Sequence, residues 1–338
     1  MGSDCFTVAT KVVSAIDQEV RILIVTPKAG QIATGNRCSA EQWVKVFRDL
    51  GHEVEVKGVG DRMTEGCDVL VALNARRIPG VIEEFKDENP DGRVVVVLTG
   101  TDIYPEVRDQ ALVTMRSADR LVALQSKALE QVPDEMREKT RVIVQSASPI
   151  EMSREGDFFE VAVVGHFRNV KDPLRTAKAV RLLPSASKVR VRQVGGILEE
   201  RYEVLIREEV AENGRYECLG EFKSKEAGGL IAGSDLLVLS SHSEGAGRVI
   251  GEAIACGTPV LSTRIDGVMG LLGEDYPGYF PVGDTEALAG LIGRAESDED
   301  FYQELKTACA KVASLFSPET EEKAWQKMLD ELTEEQSS

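Results

Sequence analysis

Short apolar runs alternate with amphipathic segments along most of the chain. In the first half, apolar and β-branched runs predict strands at Arg21–Thr26, Glu53–Lys57, Val69–Leu73, Arg93–Leu98, Arg120–Leu124 and Arg141–Gln145. The segments between them predict helices at Ser39–Leu50, Ile78–Glu88, Asp109–Ser117 and Lys127–Gln131. Strands that alternate with helices indicate a parallel sheet with crossover helices.

The same pattern starts again in the second half. Strands are predicted at Phe159–Val164, Lys188–Val194, Tyr216–Leu219, Leu236–Leu239, Pro259–Ser262 and Tyr279–Val282. Helices are predicted at Leu174–Leu183, Glu199–Asn213, Ser224–Gly233, Val249–Cys256, Thr285–Ala295, Phe301–Phe316 and Pro318–Leu332. The chain is therefore expected to be α/β, with two Rossmann-like halves that face a central cleft. Ligands of such sheets bind at the carboxyl ends of the strands.

Four segments follow from this pattern. They are a variable extension at 1–18, a first domain at 19–152, a second domain at 153–316, and a C-terminal helix at 317–338. Trp43 and Trp325 are expected to pack between helices, and Trp325 would anchor the last helix if it crosses back onto the first domain.

Composition narrows the classes of function. The 338 residues carry 40 Lys plus Arg against 57 Asp plus Glu, a net charge of −17, which argues against binding to nucleic acid or to an anionic membrane. No apolar run approaches the ~20 residues of a membrane span. The six cysteines are scattered without a CxxC pair, which favours reduced thiols in a cytoplasm.

The segment Ser240–Glu252 is the strongest candidate for a binding site, because it leads from a buried strand into a helix. Gly245 and Gly247 let the backbone approach a ligand, and amides at a helix N-terminus can donate to an anion. Glu244 and Glu252 are separated by eight positions, roughly 12 Å along a helix axis, which suits the two ends of a nucleotide-sugar. The alternative is an N-capping glutamate and a solvated helix glutamate.

Glu244 and Glu252, followed by Ala253–Val260, resemble the C-terminal signature of GT-B glycosyltransferases of family four. The resemblance implies that Glu252 holds the donor ribose and that Glu244 contacts the hexose. It also implies that the amides of Gly245 and Ala246 face the sugar and diphosphate.

That family also has a Gly-Arg…Lys element that holds the diphosphate. In the segment Gly165–Pro173, Lys171 matches it, His166 replaces the usual arginine, and Arg168 is a candidate for the missing charge. Arg168 and Lys171 would offset the charge that develops on UDP as it leaves. No Asp-x-Asp cluster follows a strand, so neither a metal nor another cofactor is expected.

Five segments are similar to one subfamily, which contains the selenosugar synthase of the selenoneine pathway. They are Thr34–Arg37, Leu73–Arg77, Leu98–Tyr104, Gly165–His166 with Lys171–Arg175, and Gly273–Asp284. The resemblance implies transfer of a hexose from UDP-N-acetylglucosamine or UDP-glucose to selenophosphate, with release of UDP and phosphate. It also implies a functional link to selenophosphate synthetase and to later enzymes of that pathway.

An anionic acceptor needs a site rich in donors, and the first half offers candidates after its strands. They are Gly35, Asn36, Arg37, Arg76, Arg77, Thr99, Gly100 and Thr101, which supply arginine, hydroxyl and amide donors. A selenium nucleophile is already ionised and needs no general base. Asp102 is open to three interpretations: it orients the acceptor, serves as base for a hydroxyl acceptor, or caps its own loop.

Two other functions stay open at this point. One is an ordinary family-four glycosyltransferase with a hydroxyl acceptor, in which Asp102 would be essential. The other is a nucleotide-sugar-binding protein without turnover, which the replacement of an arginine by His166 leaves open.

Overall fold

A computed structural model describes residues 19–27, 35–152 and 156–334 of the chain. The variable extension predicted at 1–18, Thr34 and the last four residues lie outside the described residues. The described chain contains two parallel six-stranded sheets flanked by helices, which confirms the α/β class and the two Rossmann-like halves.

The first domain contains β1–β6 and α1–α4. The strands are β1 (Arg21–Thr26), β2 (Glu53–Gly58), β3 (Val69–Leu73), β4 (Arg93–Leu98), β5 (Arg120–Ala123) and β6 (Thr140–Val142). The helices are α1 (Gly35–Asp49), α2 (Val81–Glu88), α3 (Asp109–Ser117) and α4 (Asp134–Arg137), with a 3-10 helix at Ser126–Glu130. The strand order is β2-β1-β3-β4-β5-β6.

The second domain also has a parallel six-stranded sheet, with a different strand order, β12-β11-β10-β7-β8-β9. Its strands are β7 (Phe159–Val164), β8 (Val189–Val194), β9 (Tyr216–Cys218), β10 (Leu236–Leu239), β11 (Val260–Thr263) and β12 (Tyr279–Phe280). Its helices are α5 (Arg175–Val180), α6 (Arg201–Glu212), α7 (Ser224–Ala232), α8 (Arg248–Ala255), α9 (Asp266–Leu272), α10 (Thr285–Ser297) and α11 (Glu299–Lys311); α12 (Pro318–Glu334) follows.

Burial explains why the apolar runs predicted the strands. Every residue of β3 and β10 is buried, and in β4 only Arg93 is not. Central strands of a parallel sheet are covered on both faces, so they are continuously apolar and do not alternate.

The structure differs from the predicted elements at several helices. The helix predicted at Ser39–Leu50 begins at Gly35, and the one predicted at Lys127–Gln131 is a 3-10 helix. Helix α9 was not predicted, because Gly267 and Gly270 weaken the helical pattern. Gly267 is needed there: a Cβ on it would lie 2.0 Å from the carbonyl oxygen of Glu244.

Helix α12 packs against α1 of the first domain. The Trp325 ring makes edge-on contacts with the rings of Trp43 and Phe47, at centroid distances of 5.3 and 4.9 Å. The buried carboxylate of Glu321 accepts hydrogen bonds from Trp43 Nε1 and from the Ser146 amide. This carboxylate has full hydrogen-bonding support, so it fixes α12 against the first domain.

Candidate active site between the two domains

The loop after β4 and the loop after β10 meet where the two domains face each other. A Cβ on Gly100 would lie 2.6 Å from the Gly245 nitrogen, and a Cβ on Gly245 would lie 2.3 Å from the Thr99 carbonyl oxygen. Gly100 also has a φ of 116°, which disfavours other residues. Only glycine permits this approach at both positions. We call the loop after β4 the acceptor loop and the loop after β10 the donor loop, after the substrates that the sequence predicts for them.

Glu244 and Lys171 form a partly buried ion pair in the second domain. Lys171 Nζ lies 2.5 Å from Glu244 Oε1, and the Ser241 hydroxyl donates to the same oxygen. The resemblance to family-four glycosyltransferases implies that Glu244 contacts the hexose and that Lys171 binds the diphosphate. Because the two side chains touch, the two expected subsites would be adjacent.

The loop that carries Lys171 is fastened to the end of β10. The Ser240 hydroxyl donates to the carbonyl of Asp172 at 2.9 Å, and the His242 amide donates to the carbonyl of Val170 at 2.8 Å. Asp172 is left-handed (φ 43°), and its carboxylate pairs with Arg175 at 2.7 Å. These contacts hold the backbone around Lys171 in place, and none of them involves the Lys171 ammonium group.

The backbone amides of Gly245, Ala246 and Gly247 form no hydrogen bond with another described residue. Gly247 is left-handed, and α8 starts only at Arg248. Glu244 therefore lies in the loop and not on the helix, so the helix-axis estimate of its separation from Glu252 does not apply.

Glu252 lies on α8, where its side chain is 21% exposed, and it pairs with Arg248 at 3.3 Å. Burial raises the pKa of the Glu252 carboxyl, and the Arg248 guanidinium acts against that rise. Arg248 also donates to Gln42 Oε1 at 3.0 Å, and Gln42 Nε2 donates to Glu321 at 2.7 Å. The expected ribose ligand is thus connected to α1 and α12.

The remaining expected diphosphate residues line the end of β7. His166 Nδ1 accepts a hydrogen bond from the Gly196 amide at 3.0 Å, so this histidine braces the neighbouring loop. A Cβ on Gly195 would lie 2.0 Å from the Gly165 carbonyl, which keeps the two loops in contact. Arg168 is half-buried, and within the described ranges its Nε has no hydrogen-bond partner.

Asp102 forms contacts that favour the loop-structural interpretation over that of a base. It is 1% exposed, and its two oxygens accept from the amides of Ala75, Thr99 and Gly100 at 2.8–3.2 Å. Burial raises the pKa of this carboxyl, while the amides act against that rise. A base must come within hydrogen-bonding reach of its substrate, so these contacts favour the loop-structural role, and the catalytic role of Asp102 stays a prediction.

The same contacts correct part of the acceptor prediction. The amides of Thr99 and Gly100 are consumed by Asp102, so they are not available to an anion. The hydroxyls of Thr99 and Thr101 do remain, and each accepts from Asn74 Nδ2, at 2.8 and 3.0 Å.

The other candidate acceptor residues do not form one cluster. Gly35, Asn36 and Arg37 form the first turn of α1, and Arg37 pairs with Glu41 at 3.0 Å on an exposed face. Arg76 is half-buried and Arg77 is exposed, and neither side chain has a hydrogen-bond partner among the described residues. Among the described residues, no hydrogen bond or ion pair joins these three arginines to the contact between Thr99 and Gly245.

Sequence reasoning missed Gln42, Asn74 and Arg248 as members of the site. Both Asn74 and Arg248 lie within segments that the sequence analysis considered, Leu73–Arg77 and Ser240–Glu252. Asn74 directly follows a strand and Arg248 directly follows a glycine-rich turn, and these positions could have marked them as candidates. Gln42 gave no signal, because a polar residue on an amphipathic helix is ordinary.

The described part of the chain has neither a cluster of metal-ligating side chains nor a membrane-spanning helix. Within the ranges 19–27, 35–152 and 156–334, no three His, Cys, Asp or Glu side chains are grouped so that they could hold a metal ion. In the same part of the chain, no helix is long and apolar enough to span a bilayer. The absence of a metal requirement stays a prediction.

Comparison with known sequences finds similarity that is centred on the second domain. Residues 149–312 match the model of the family described as glycosyl transferases group 1. A stretch of 77 residues is 36% identical to the N-acetyl-alpha-D-glucosaminyl L-malate synthase of Bacillus anthracis. That stretch covers 22% of this chain and 20% of that enzyme, so the match spans about a fifth of either.

Comparison with solved structures covers nearly the whole chain. A glycosyltransferase from Rickettsia africae superposes with a TM-score of 0.76 at 16% identity, covering 93% of this chain and 99% of that one. Sucrose-phosphate synthase of Thermosynechococcus elongatus gives 0.74 at 16% identity over 93% and 99%. Anabaena HepE, solved with UDP and glucose, gives 0.70 at 17% identity over 93% and 100%.

Proposed function

We propose that this chain, which has the GT-B glycosyltransferase fold and a group 1 glycosyl transferase second domain, is a selenosugar synthase. It would transfer a hexose from UDP-N-acetylglucosamine or UDP-glucose to selenophosphate. The selenium would attack C1 of the sugar while the bond from C1 to the UDP oxygen breaks. Water would then cleave the Se–P bond, giving a 1-seleno-sugar and phosphate beside the released UDP.

The observation that carries this proposal is the state of Asp102. It was the only strand-end carboxylate of the first domain singled out as a possible base, and its oxygens are used by three backbone amides. A sugar hydroxyl needs a base to become a good nucleophile, whereas selenophosphate is ionised already. The loop around Asp102 instead presents the hydroxyls of Thr99 and Thr101, which suit an anion.

The donor side of the proposal has separate support. The Lys171–Glu244 pair and the unused amides of Gly245–Gly247 supply positive charge and donors next to a carboxylate. A diphosphate needs positive charge and hydrogen-bond donors, and sugar hydroxyls need an acceptor such as the Glu244 carboxylate. The names of two similar proteins agree, since one is solved with UDP and glucose and the other is named for N-acetylglucosaminyl transfer.

A second candidate is transfer to the hydroxyl of an anionic small molecule. It is favoured by the Bacillus anthracis relative, which is named for L-malate. This reaction would need a base other than Asp102. His242 is the histidine of the loop after β10, and its Nε2 lies 3.5 Å from Asp172 Oδ2.

The decisive experiment offers both acceptors to the purified protein with each donor. UDP release is measured by a coupled assay, and the selenol is trapped with a thiol-reactive reagent and identified by mass spectrometry. We expect equal amounts of UDP, phosphate and trapped seleno-sugar with selenophosphate. Release of UDP with L-malate or sugars but never with selenophosphate would refute the synthase proposal.

Glu252→Ala provides the control for turnover at this site. Loss of the ribose ligand should raise the KM for the donor, since Glu252 is expected to bind it in ground and transition states alike. Glu208→Ala, an exposed glutamate on α6, is the matched variant and should behave as wild type. A protein that binds UDP-sugar but releases no UDP with any acceptor would be a binding protein.

A further inference from the structure

We propose that Asn74 is a positioning residue that makes Thr99 and Thr101 a pair of hydrogen-bond donors for the oxyanion of the acceptor. This inference deepens the proposed function and rests on it in part. It also holds for any acceptor with an oxyanion, whether a phosphate or a carboxylate.

Asn74 has an unusual backbone for a residue with a side chain. Its φ is 72°, in the left-handed region, and it follows directly after β3 at the carboxyl edge of the sheet. Asparagine tolerates this conformation better than most residues. The backbone at this position therefore permits Asn, Asp or Gly. Of these three, only Asn can donate hydrogen bonds from its side chain.

The side-chain amide of Asn74 is 2% exposed and reaches two hydroxyls with one nitrogen. Nδ2 donates to Thr99 Oγ1 at 2.8 Å and to Thr101 Oγ1 at 3.0 Å. Because an amide nitrogen has only two hydrogens, both are used. Asn74 Oδ1 is buried, and no described residue donates to it.

The consequence lies in the direction of the hydroxyl protons. Each threonine oxygen accepts from Asn74, so its own O–H must point elsewhere. Among described residues, neither hydroxyl donates to any acceptor. Two half-buried O–H groups are thus left as donors side by side.

The spacing of these donors fits an oxyanion. Two acceptors of one amide nitrogen lie roughly 5 Å apart, since its hydrogens diverge by about 120°. Donors at that spacing can share one anionic oxygen, or bind two oxygens of one phosphate or carboxylate, at about 2.6 Å each. Each threonine oxygen keeps a second lone pair, but the two free protons of the pair favour an oxyanion, which accepts from both.

The pair also lies beside the donor loop. The Thr99 carbonyl and the Gly100 nitrogen are the atoms that a Cβ on Gly245 would strike. Gly245 is expected to face the sugar, so an anion held by Thr99 and Thr101 would be held close to the donor.

Asn74→Asp tests the direction of these hydrogen bonds with almost no change of shape. A carboxylate would accept from both hydroxyls, turning their protons inward and adding a negative charge. The probe is inorganic phosphate, titrated calorimetrically into the protein saturated with UDP so that the diphosphate subsite is filled. We expect Asn74→Asp to weaken phosphate binding by at least about tenfold, with UDP affinity within about twofold of wild type.

Two further variants keep the test decisive if Asn74→Asp is unstable. Thr101→Val removes one donor and should weaken phosphate by about threefold to tenfold. Asn89→Asp is the matched control, since Asn89 is a buried asparagine of the same domain whose Nδ2 donates to the Thr64 carbonyl. It should lower Tm without changing the affinity for phosphate.

Three results would overturn the inference: wild type that does not bind phosphate at millimolar concentration, Asn74→Asp that binds it as wild type does, or equal losses in Asn74→Asp and Asn89→Asp. A parallel titration with L-malate distinguishes a carboxylate from a phosphate acceptor. Phosphate binding lost in Asn74→Asp, without turnover of selenophosphate by wild type, would support the inference while refuting the synthase.

Discussion

Two loops occupy corresponding places in the two domains, and their carboxylates serve opposite purposes. The loop after β4 contains Asp102, and the loop after β10 contains Glu244. Asp102 accepts hydrogen bonds from backbone amides of its own loop and of a neighbouring loop. Glu244 instead pairs with Lys171, and the amides that follow it form no hydrogen bond with a described residue.

This difference shows how one fold can form two unlike subsites. Where the carboxylate consumes the amides, the loop is rigid and binds through side-chain hydroxyls. Where the carboxylate bonds to a cation from elsewhere, the backbone itself can bind an anion. The donor loop is therefore suited to a diphosphate and the acceptor loop to a smaller oxyanion.

The largest effect is expected from Lys171→Ala. The substitution removes the cation that the loop after β7 presents to Glu244, and it leaves Glu244 partly buried without its counter-charge. We expect kcat/KM for the donor to fall by at least about a hundredfold, because charge on the leaving UDP is no longer offset. Lys178→Ala, an exposed lysine on the following helix, should stay within about twofold in the same kinetic assay.

The next effect is expected from Gly245→Ala, which attacks the contact between the two loops. Its Cβ would lie 2.3 Å from the Thr99 carbonyl, so the two loops must separate. We expect kcat to fall by at least about tenfold, because small displacements of reacting groups are costly. Gly290→Ala on α10, where a Cβ meets nothing within 4 Å, is the control. Unchanged kcat in Gly245→Ala would mean that the loops need not touch during turnover.

Asp102→Asn separates a loop-structural role from a base. The amide keeps one acceptor oxygen but places an NH2 group against backbone N–H donors. We expect the free energy of unfolding to fall by about 1–3 kcal/mol. The pH profile of kcat should keep its shape, as measured on the folded fraction. Loss of a basic limb together with near-wild-type Tm would restore Asp102 as the base.

Arg248→Met changes the pKa of Glu252 and should have a smaller effect. Burial raises the pKa of this carboxyl and Arg248 opposes the rise, so removing the guanidinium lets it rise further. If ribose binding needs the carboxylate, the acid limb of kcat/KM for the donor should move to higher pH. Arg207→Met, an exposed arginine on α6, should leave that limb in place. A shift to lower pH would contradict this reading of Glu252.

The smallest effect is expected from metal removal. The cations Arg168 and Lys171 are proposed to offset the charge of the leaving UDP. Dialysis against EDTA should therefore leave the initial rate of UDP release unchanged, and added Mg²⁺ or Mn²⁺ should not raise it. A loss that is restored by one of these ions would require a metal ligand set that includes substrate phosphates.

The sequence by itself determined the order of the strands along the chain, most of the helices between them, and the residue types at the strand ends. Apolar runs such as Val69–Leu73 and the glycines of the loop after β10 act locally, so their consequences are visible without the fold. Glu244 was a candidate because of its place after a strand, whereas its role and that of Lys171 were implied by the resemblance to family-four glycosyltransferases.

Only the tertiary structure decided which polar groups are used and which are free. Asn74 meets Thr99 and Thr101 across 25 and 27 residues, and Arg248 meets Gln42 across 206. Such partners depend on how sheets and domains pack, which no local pattern encodes. Asp102 illustrates this limit, because a carboxylate at a strand end is the same residue type whether it faces a substrate or its own backbone.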